Sequence, residues 1–530
     1  MRGITSWQWF LALLSGILQV VIFPSPNIFA LCWIALVPLV IAILRPPGAP
    51  VLIAANGQLL GTTPWQGFLL GYACGLVWYA GTCFWVYHAM HWYGGLSAGA
   101  AIGVLILFCL YLALYHGFFG LLLAAARRRS LHGLRRALLL APFLWVAVEL
   151  GRSRVTSFPW DLLGGAQVDN IPLTRVAVLT GVYGVSFIIV LANCGIAATL
   201  MAPARAQKRL LPLALAIAVM LQLGIFAQPR ALAAPHSALL VQQNVPMDVN
   251  WDRASLRATL QQLSALSSLP VSASAEPRLV IWPESPAPFF SNDADFAASV
   301  SALAQRENAY VIVAEVGVLP PKRDKAGKSQ ELLTNRAQLI APTGAWLGHY
   351  DKIHLVPFGE YVPYPSLFSF ASGLTEQVGN YVPGATRAPL NIAGNKYGAF
   401  ICYESVFPNQ VRQFAANGAE VFINLSDDGW YGAYGAPGQH LNMARMRAIE
   451  NRRWLLRATN TGVTASIDPF GRVVARAPAN QRVTLNAPYD FIAATTFYTR
   501  HGDWFAWACV IISILGLTLK ARLRAGKIGD

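Results

Sequence analysis

Between residues 6 and 228 the chain carries one apolar stretch after another, separated by short polar or Pro/Gly-marked breaks. A helix needs roughly 20 mainly apolar residues to cross the hydrocarbon core of a bilayer. The runs at 6–24, 28–45, 65–88, 97–125, 137–151, 173–201 and 208–228 are candidates, and one more follows at 503–520. With no water in that layer to satisfy an open backbone, an α-helical transmembrane bundle of about eight spans is the expected architecture. The Phe23-Pro24-Ser25-Pro26 turn joins the first two runs without a persuasive cleavage site, which favours a helical hairpin over a removable leader.

Composition divides the chain. Only 12% of its 530 residues are charged, against roughly 25% in ordinary soluble proteins. The depletion belongs to 1–235 and 501–530, whereas 236–500 holds 22 Lys+Arg against 20 Asp+Glu and reads as a globular domain. Those three ranges are the expected domains. The excess of positive charge sits in loops: Arg127, Arg128, Arg129, Arg135 and Arg136; Arg205, Lys208 and Arg209; and Lys520, Arg522, Arg524 and Lys527. With eight spans all three clusters fall on one side, which the positive-inside rule makes cytoplasmic, with Arg152 and Arg154 opposing. The globular domain then faces outward. A basic balance of this origin does not imply a nucleic-acid partner.

Within the apolar region, Glu149 and Arg152 suggest an interfacial ion pair at a helix end. The loop Ser157-Phe158-Pro159-Trp160-Asp161 suits an interfacial belt, and Trp78, Tyr79, Trp85, Tyr87, Trp92 and Tyr93 suit packing or interface anchoring.

From Ala238 the period changes. Strands are predicted at 238–245, 278–284, 310–317, 336–341, 397–402 and 420–424, and paired strands across 455–476 around Pro469-Phe470-Gly471. Helices are predicted at 250–268, 293–306, 407–417 and 439–454. Short apolar strands alternating with helices imply an α/β domain whose sheets are buried on both sides.

Three chemically capable residues end strands or follow them: Glu284 after Val-Ile-Trp-Pro, Lys352 in His349-Tyr-Asp-Lys-Ile-His354, and Cys402 after Phe-Ile. Ligand sites of open α/β sheets collect at the carboxyl ends of strands, so residues distant in sequence can converge there. A thiol needs a base, and a neighbouring carboxylate can take its proton. A lysine ammonium holds that carboxylate and offers charge to an oxyanion, with the Tyr403 N–H as a second donor. Each residue alone has a bland alternative: a buried small hydrophobe for Cys402, a strand-end carboxylate for Glu284, a solvated lysine for Lys352. The other six cysteines lie in apolar runs, so the globular domain has no cysteine pair for a disulfide or thiolate metal site. No metal or cofactor is expected.

The flanking text is specific. Trp282-Pro-Glu284, Asp351-Lys-Ile-His-Leu-Val-Pro-Phe-Gly-Glu360 and Cys402-Tyr-Glu-Ser405 resemble the Glu-Lys-Cys motifs of the nitrilase superfamily. With the surrounding spans, the whole chain resembles the bacterial apolipoprotein N-acyltransferases, departing only at Ile353 inside the lysine motif. The resemblance implies a nitrilase-like four-layer α-β-β-α sandwich in the periplasm, carried on the inner membrane. It implies acyl transfer from a phospholipid, through a thioester, to the α-amine of a diacylglyceryl-cysteine on an apolipoprotein. Nothing in the sequence demands more than a monomer. Glu284 is then the general base, Lys352 the oxyanion stabiliser and Cys402 the nucleophile. Glu360, Tyr403, Glu404, Trp282 and Phe358 are supporting positions, and Trp430 is an aromatic at the substrate entrance. The apolar segment 361–370, with Trp430, Tyr431 and Tyr434, is an expected lid dipping into the outer leaflet. A membrane-tethered amidase acting on a small amide is the alternative, but it needs only one anchor and leaves the other spans unexplained. A transporter or receptor fits less well, because the spans lack buried charge pairs and the globular domain holds a catalytic set.

Overall fold

The computed structural model describes residues 3–45, 62–127, 131–268, 278–284, 287–323, 329–361, 381–432 and 434–525. They form two compact units, one of Met1–Phe84, Ile102–Gln228 and His501–Asp530, the other of Trp85–Ala101 and Pro229–Arg500.

The first unit is helical. Among the described residues, three helices are long and apolar enough to cross a membrane: Ala98–Ala126, Val182–Leu200 and Ala204–Phe226. A fourth is reached if Pro64–Thr82 and the adjoining Trp85–Tyr93 make one bent span. The expected count of about eight is therefore not reached by length and composition. Three expected spans emerge as the shorter apolar helices Ser6–Val21, Phe29–Leu44 and Trp504–Thr518. The run at 173–201 is interrupted at Gly181, whose φ of +67° a helix cannot continue through. The run at 137–151 lies in a longer helix, Leu131–Val155, that also carries Arg135, Arg136, Glu149, Arg152 and Arg154.

Outward faces of these helices are apolar: Leu107, Leu213, Met220, Trp507 and Ile511 are each more than half exposed. In water such a surface is unstable, whereas hydrocarbon satisfies it. Inside the unit, a Cβ at Gly67, Gly71 or Gly120 would collide with the backbone of the facing helix. Small residues let Pro64–Thr82 and Ala98–Ala126 meet backbone to backbone, which replaces a hydrophobic driving force that lipid does not supply.

Two expectations about this unit need correction. Glu149 and Arg152 are both buried and form no direct ion pair. Glu149 Oε1 accepts the Leu163 N–H at 2.8 Å. The Arg152 guanidinium lies over the rings of Trp78 and Tyr79, 5.2 and 5.7 Å from their centroids, so π faces stand where the carboxylate was expected. The loop aromatics Phe158 and Trp160 are buried and stacked on each other, and do not form an exposed belt.

The second unit is built on two six-stranded sheets. Its strands are β1 (His236–Gln242), β2 (Arg278–Ile281), β3 (Ala309–Arg323), β4 (Ser329–Ile340), β5 (Trp346–Asp351), β6 (Leu390–Ile392), β7 (Asn395–Ile401), β8 (Val421–Ser426), β9 (Trp454–Thr459), β10 (Ala465–Ile467), β11 (Val473–Arg476) and β12 (Val483–Tyr489). The sheet orders are β12-β1-β2-β3-β4-β5 and β11-β10-β9-β8-β7-β6. Each has a parallel centre, β1-β2-β3 or β7-β8-β9, flanked by antiparallel strands. Side-chain alternation explains the layering. Ala238, Leu240, Leu279 and Ile281 face inward onto Ala399, Ile401, Leu425 and Leu456 of the other sheet. Leu239, Val241, Val280 and Trp282 face outward onto Leu263, Phe296, Val300 and Leu303 of the helices Arg253–Ser267 and Ala294–Arg306. Helices Pro408–Ala416 and Ala436–Asn451 pack on the second sheet through Phe414, Ala444 and Ala448. The result is the α-β-β-α sandwich.

Sequence periodicity missed β5, β6 and β12. The exposed run Leu347, Gly348, His349 makes β5 look like a loop, and β6 is three residues long. Trp454, expected at a helix end, starts β9. The helix stops because Arg452 turns left-handed, with φ of +53°.

Candidate active site

Strand ends bring the motifs together. Glu284 lies three residues beyond β2, Lys352 directly follows β5, Cys402 directly follows β7, and Asp427 directly follows β8. Lys352 Nζ donates to Glu360 Oε1 at 2.8 Å and reaches Glu284 Oε1 at 3.5 Å. Asn335 of β4 donates its amide to the same two carboxylates, at 2.9 Å to Glu284 and 2.7 Å to Glu360. The second oxygens are held by backbone: Asp427 N–H to Glu284 at 3.1 Å, Val356 N–H to Glu360 at 2.7 Å. Lys352 is itself fixed on both sides, its N–H donating to Asn335 O and its carbonyl accepting from Gly384.

The electrostatics follow from this crowding. Burial alone would push the Lys352 ammonium toward deprotonation. The charges of Glu360, then Glu284, then Cys402 outweigh it and hold its pKa above the ordinary lysine value. Lys352 is therefore a buried, permanent cation. Burial pushes the Cys402 thiol up first, Glu284 raises it further through charge and hydrogen bonding, and Lys352 only partly compensates. At neutral pH Cys402 is held as a thiol, and any reaction through its sulfur needs a base to take the proton. Alkylation of Cys402 by iodoacetamide is accordingly expected to be slower at pH 7.5 than for an exposed cysteine, and still rising at pH 9. A rate that levelled off near pH 8 would contradict this environment.

Cys402 opens a 3₁₀ turn, Cys402–Val406, at a φ of +50°. For a residue with a Cβ this left-handed conformation costs about 1–3 kcal/mol, and surrounding contacts must hold it. Glu404 supplies several. Its Oε2 accepts the Ile401 N–H at 2.8 Å. Its Oε1 accepts from Ile353 N–H, His354 N–H, Tyr350 Oη and Gln410 Nε2 at 2.5–3.1 Å. Burial pushes this carboxyl up, and these donors oppose the shift. Glu404 thus ties the Cys402 turn to the segment carrying Lys352. Glu404→Gln places an amide N–H₂ among donors, and is expected to cost about 2–3 kcal/mol, read as a Tm lowered by several degrees for the detergent-solubilised protein.

The structure distributes the remaining expected residues unevenly. Tyr403 is buried edge-on against Phe407. Phe358 stands in a tight turn with φ of +61°, its N–H bonded to Tyr361 O. Trp282 does not join the site: its ring lies in the outer core and its Nε1–H donates to Ser267 Oγ at 2.8 Å. The alternation that points Ile281 inward sends Trp282 to the helices. Trp430 is exposed and meets Tyr93 edge-on at 5.4 Å, while Tyr431 is buried against Trp85. The segment Trp85–Tyr93, expected at the end of a span, packs in this unit on the loop bearing Trp430 and Tyr434. Of the expected lid, Tyr361 is described and 362–370 lie outside the described residues.

Asn335 and Asp427 were not anticipated. Asn335 is a polar residue midway along a strand, with no motif to mark it. Asp427 acts through its backbone N–H, which side-chain chemistry cannot reveal.

Comparison with known proteins bears on the whole chain. The family profile described as apolipoprotein N-acyltransferase N-terminal domain matches residues 15–195, and that described as carbon-nitrogen hydrolase matches 238–494. The apolipoprotein N-acyltransferase of Geobacter metallireducens is 36% identical over 95% of this chain and 93% of its own. That of Methylococcus capsulatus is 33% identical over 88% and 90%. Among solved structures, an amidase from Nesterenkonia sp. is 17% identical, with a TM-score of 0.35 over 53% of this chain and 98% of that one. Relatives matched over nearly their full length, across both the helical and the sandwich regions, show that this chain is an enzyme of the apolipoprotein N-acyltransferase family, a membrane protein with a catalytic domain of the carbon-nitrogen hydrolase type.

Proposed function

We propose that this enzyme moves a fatty acyl chain from a membrane phospholipid to the α-amine of a diacylglyceryl-cysteine on an apolipoprotein, through a thioester on Cys402. The observation that carries the proposal is the Glu284–Lys352–Glu360 cluster, held by Asn335 and acting by charge and hydrogen bonding on the Cys402 thiol, which sits on a left-handed turn.

In the first half-reaction Glu284 takes the Cys402 proton as Sγ adds to the ester carbonyl carbon. The oxyanion is met by the Lys352 ammonium and the Tyr403 N–H. Collapse breaks the ester C–O bond, the leaving alkoxide takes the proton from Glu284, and lysophospholipid departs. In the second half the neutral α-amine attacks the thioester carbon and gives its proton to Glu284. The C–S bond then breaks, the proton returns to sulfur, and the amide is released. The two substrates use one site in turn, which gives ping-pong kinetics, and the chemistry demands no more than one copy of the chain. Glu360 orients Lys352. Exposed Trp430, Tyr434 and Tyr361 suit contact with acyl chains at the entrance. The basic clusters at the ends of the helices Leu131–Val155, Ala204–Gln222 and Trp504–Ala525 support a bacterial inner-membrane location with the catalytic domain on the periplasmic side.

The test is a transfer assay in phospholipid–detergent micelles with a synthetic diacylglyceryl-cysteinyl peptide. Equal amounts of lysophospholipid and N-acyl peptide are expected, and neither with Cys402→Ala. Hydrolysis of small amides without lysophospholipid release would move the assignment to a membrane-tethered amidase.

A further inference from the structure

A second polar chain, which the mechanism above does not use, meets the turn that carries Cys402. His440, on helix Ala436–Asn451, places Nδ1 2.9 Å from Asp428 Oδ1. Its Nε2 lies 2.7 Å from Ser405 Oγ and 3.1 Å from the carbonyl oxygen of Cys402. Asp428 is anchored by Arg457, whose Nη2 meets its two oxygens at 2.8 and 2.9 Å, and by Ser426 Oγ at 3.1 Å.

Serine, histidine and aspartate in this order match a hydrolase triad by distance. Accessibility argues against a second nucleophile, because Ser405 and His440 are 0% exposed and Asp428 1%. No substrate carbonyl reaches that hydroxyl. What the chain does touch is the turn that carries the nucleophile.

We propose that the Asp428–His440 pair is a positioning device that fixes the Cys402–Tyr403 peptide, and so aims the Tyr403 N–H at the oxyanion. This rests on the acyl-transfer mechanism at Cys402. Burial pushes the Asp428 carboxyl up, but Arg457 and His440 outweigh it and hold the pKa at about 2. Asp428 is therefore an acceptor only, and it accepts from Nδ1 of His440 when that nitrogen carries the proton. Burial and Arg457 hold the ring below the ordinary imidazole pKa. A neutral ring with its proton on Nε2 donates to the Cys402 carbonyl while Nδ1 accepts from Arg457 Nη2 at 3.1 Å, and one with its proton on Nδ1 accepts from the Ser405 hydroxyl at Nε2. In either state it grips the same turn. The peptide unit is planar, so a carbonyl held on one side orients the N–H of Tyr403 on the other. Glu404 binds the N–H preceding Cys402, on Ile401, so the left-handed residue is clamped from both flanks.

The experiment compares two reactions of Cys402 in the full-length, detergent-solubilised protein. Acylation by a p-nitrophenyl ester forms an oxyanion, whereas alkylation by iodoacetamide forms none. His440→Leu is expected to slow acylation by about 100-fold, the scale of losing one oxyanion donor, with alkylation changed by much less. His440→Gln, whose amide can meet Ser405 or the carbonyl, recovers much of the acylation rate. Ser405→Ala, a smaller change less disruptive to folding, falls between wild type and His440→Leu. Equal losses in both reactions, no loss of acylation with either His440→Leu or Ser405→Ala, or His440→Gln behaving as His440→Leu would each overturn the proposal. A wild-type protein that is acylated by the nitrophenyl ester but not by phospholipid would refute the donor assignment and leave the positioning claim standing.

Discussion

Lys352→Met is expected to slow acylation of Cys402 by at least about a thousandfold, the upper end of what one oxyanion donor contributes. The reasoning starts from burial. Lys352 is 1% exposed and neutralises two carboxylates that share the Asn335 amide. Methionine fills the same volume and removes the one cation that, among the described residues, pairs with Glu284 and Glu360. Both carboxylates then remain close together without a counter-charge, so one must take a proton. If that proton sits on Glu284, the base is lost along with the oxyanion donor. Breaking a buried pair by removing one partner also costs about 3–5 kcal/mol. The substitution should therefore lower Tm as well as rate. Stopped-flow release of p-nitrophenol from an activated ester measures the rate, and a loss below tenfold would remove Lys352 from the oxyanion role.

Glu284→Gln separates base catalysis from thiol reactivity, because it moves the two in opposite directions. A positioned general base contributes about 10²–10⁴-fold, and the amide that replaces Glu284 cannot accept the thiol proton. Acylation should fall by that range. Yet Glu284 is also a cause of the raised Cys402 pKa, through charge and hydrogen bonding. Neutralising it leaves Lys352 unopposed from that side and brings the thiol pKa down. A lower pKa means more thiolate at fixed pH. Alkylation by iodoacetamide at pH 8 should therefore be unchanged or faster in Glu284→Gln than in wild type. Slower alkylation together with slower acylation would point to a damaged site and count against the assignment of Glu284 as base.

Glu284, Lys352 and Cys402 were legible in the sequence because each sits at a strand end inside a distinctive motif. Short continuous apolar runs located β1, β2, β7 and β8 closely, since their strands are buried on both faces. What was not legible depended on tertiary direction. Trp282 adjoins the Glu284 motif, yet the pleat turns it into the helical layer. Asn335 enters the site from a strand whose sequence carries no motif, and His440 acts on a backbone carbonyl reached only through folding. In the helical unit, hydropathy located most of the helices but not their breaks, because Gly181 interrupts an apolar run without altering its composition. Charge spacing suggested a Glu149–Arg152 pair, whereas the guanidinium found aromatic faces from another helix.

Cys402 is expected to carry the acyl chain as a thioester. Intact-protein mass spectrometry after incubation with a phospholipid of one defined acyl length measures this directly. The expected spectrum shows one added acyl mass on Cys402, shifting with the donor's chain length, discharged by the diacylglyceryl-cysteinyl peptide and absent in Cys402→Ala. Peptide N-acylation proceeding at its normal rate with no such mass, or with Cys402→Ala, would contradict the account.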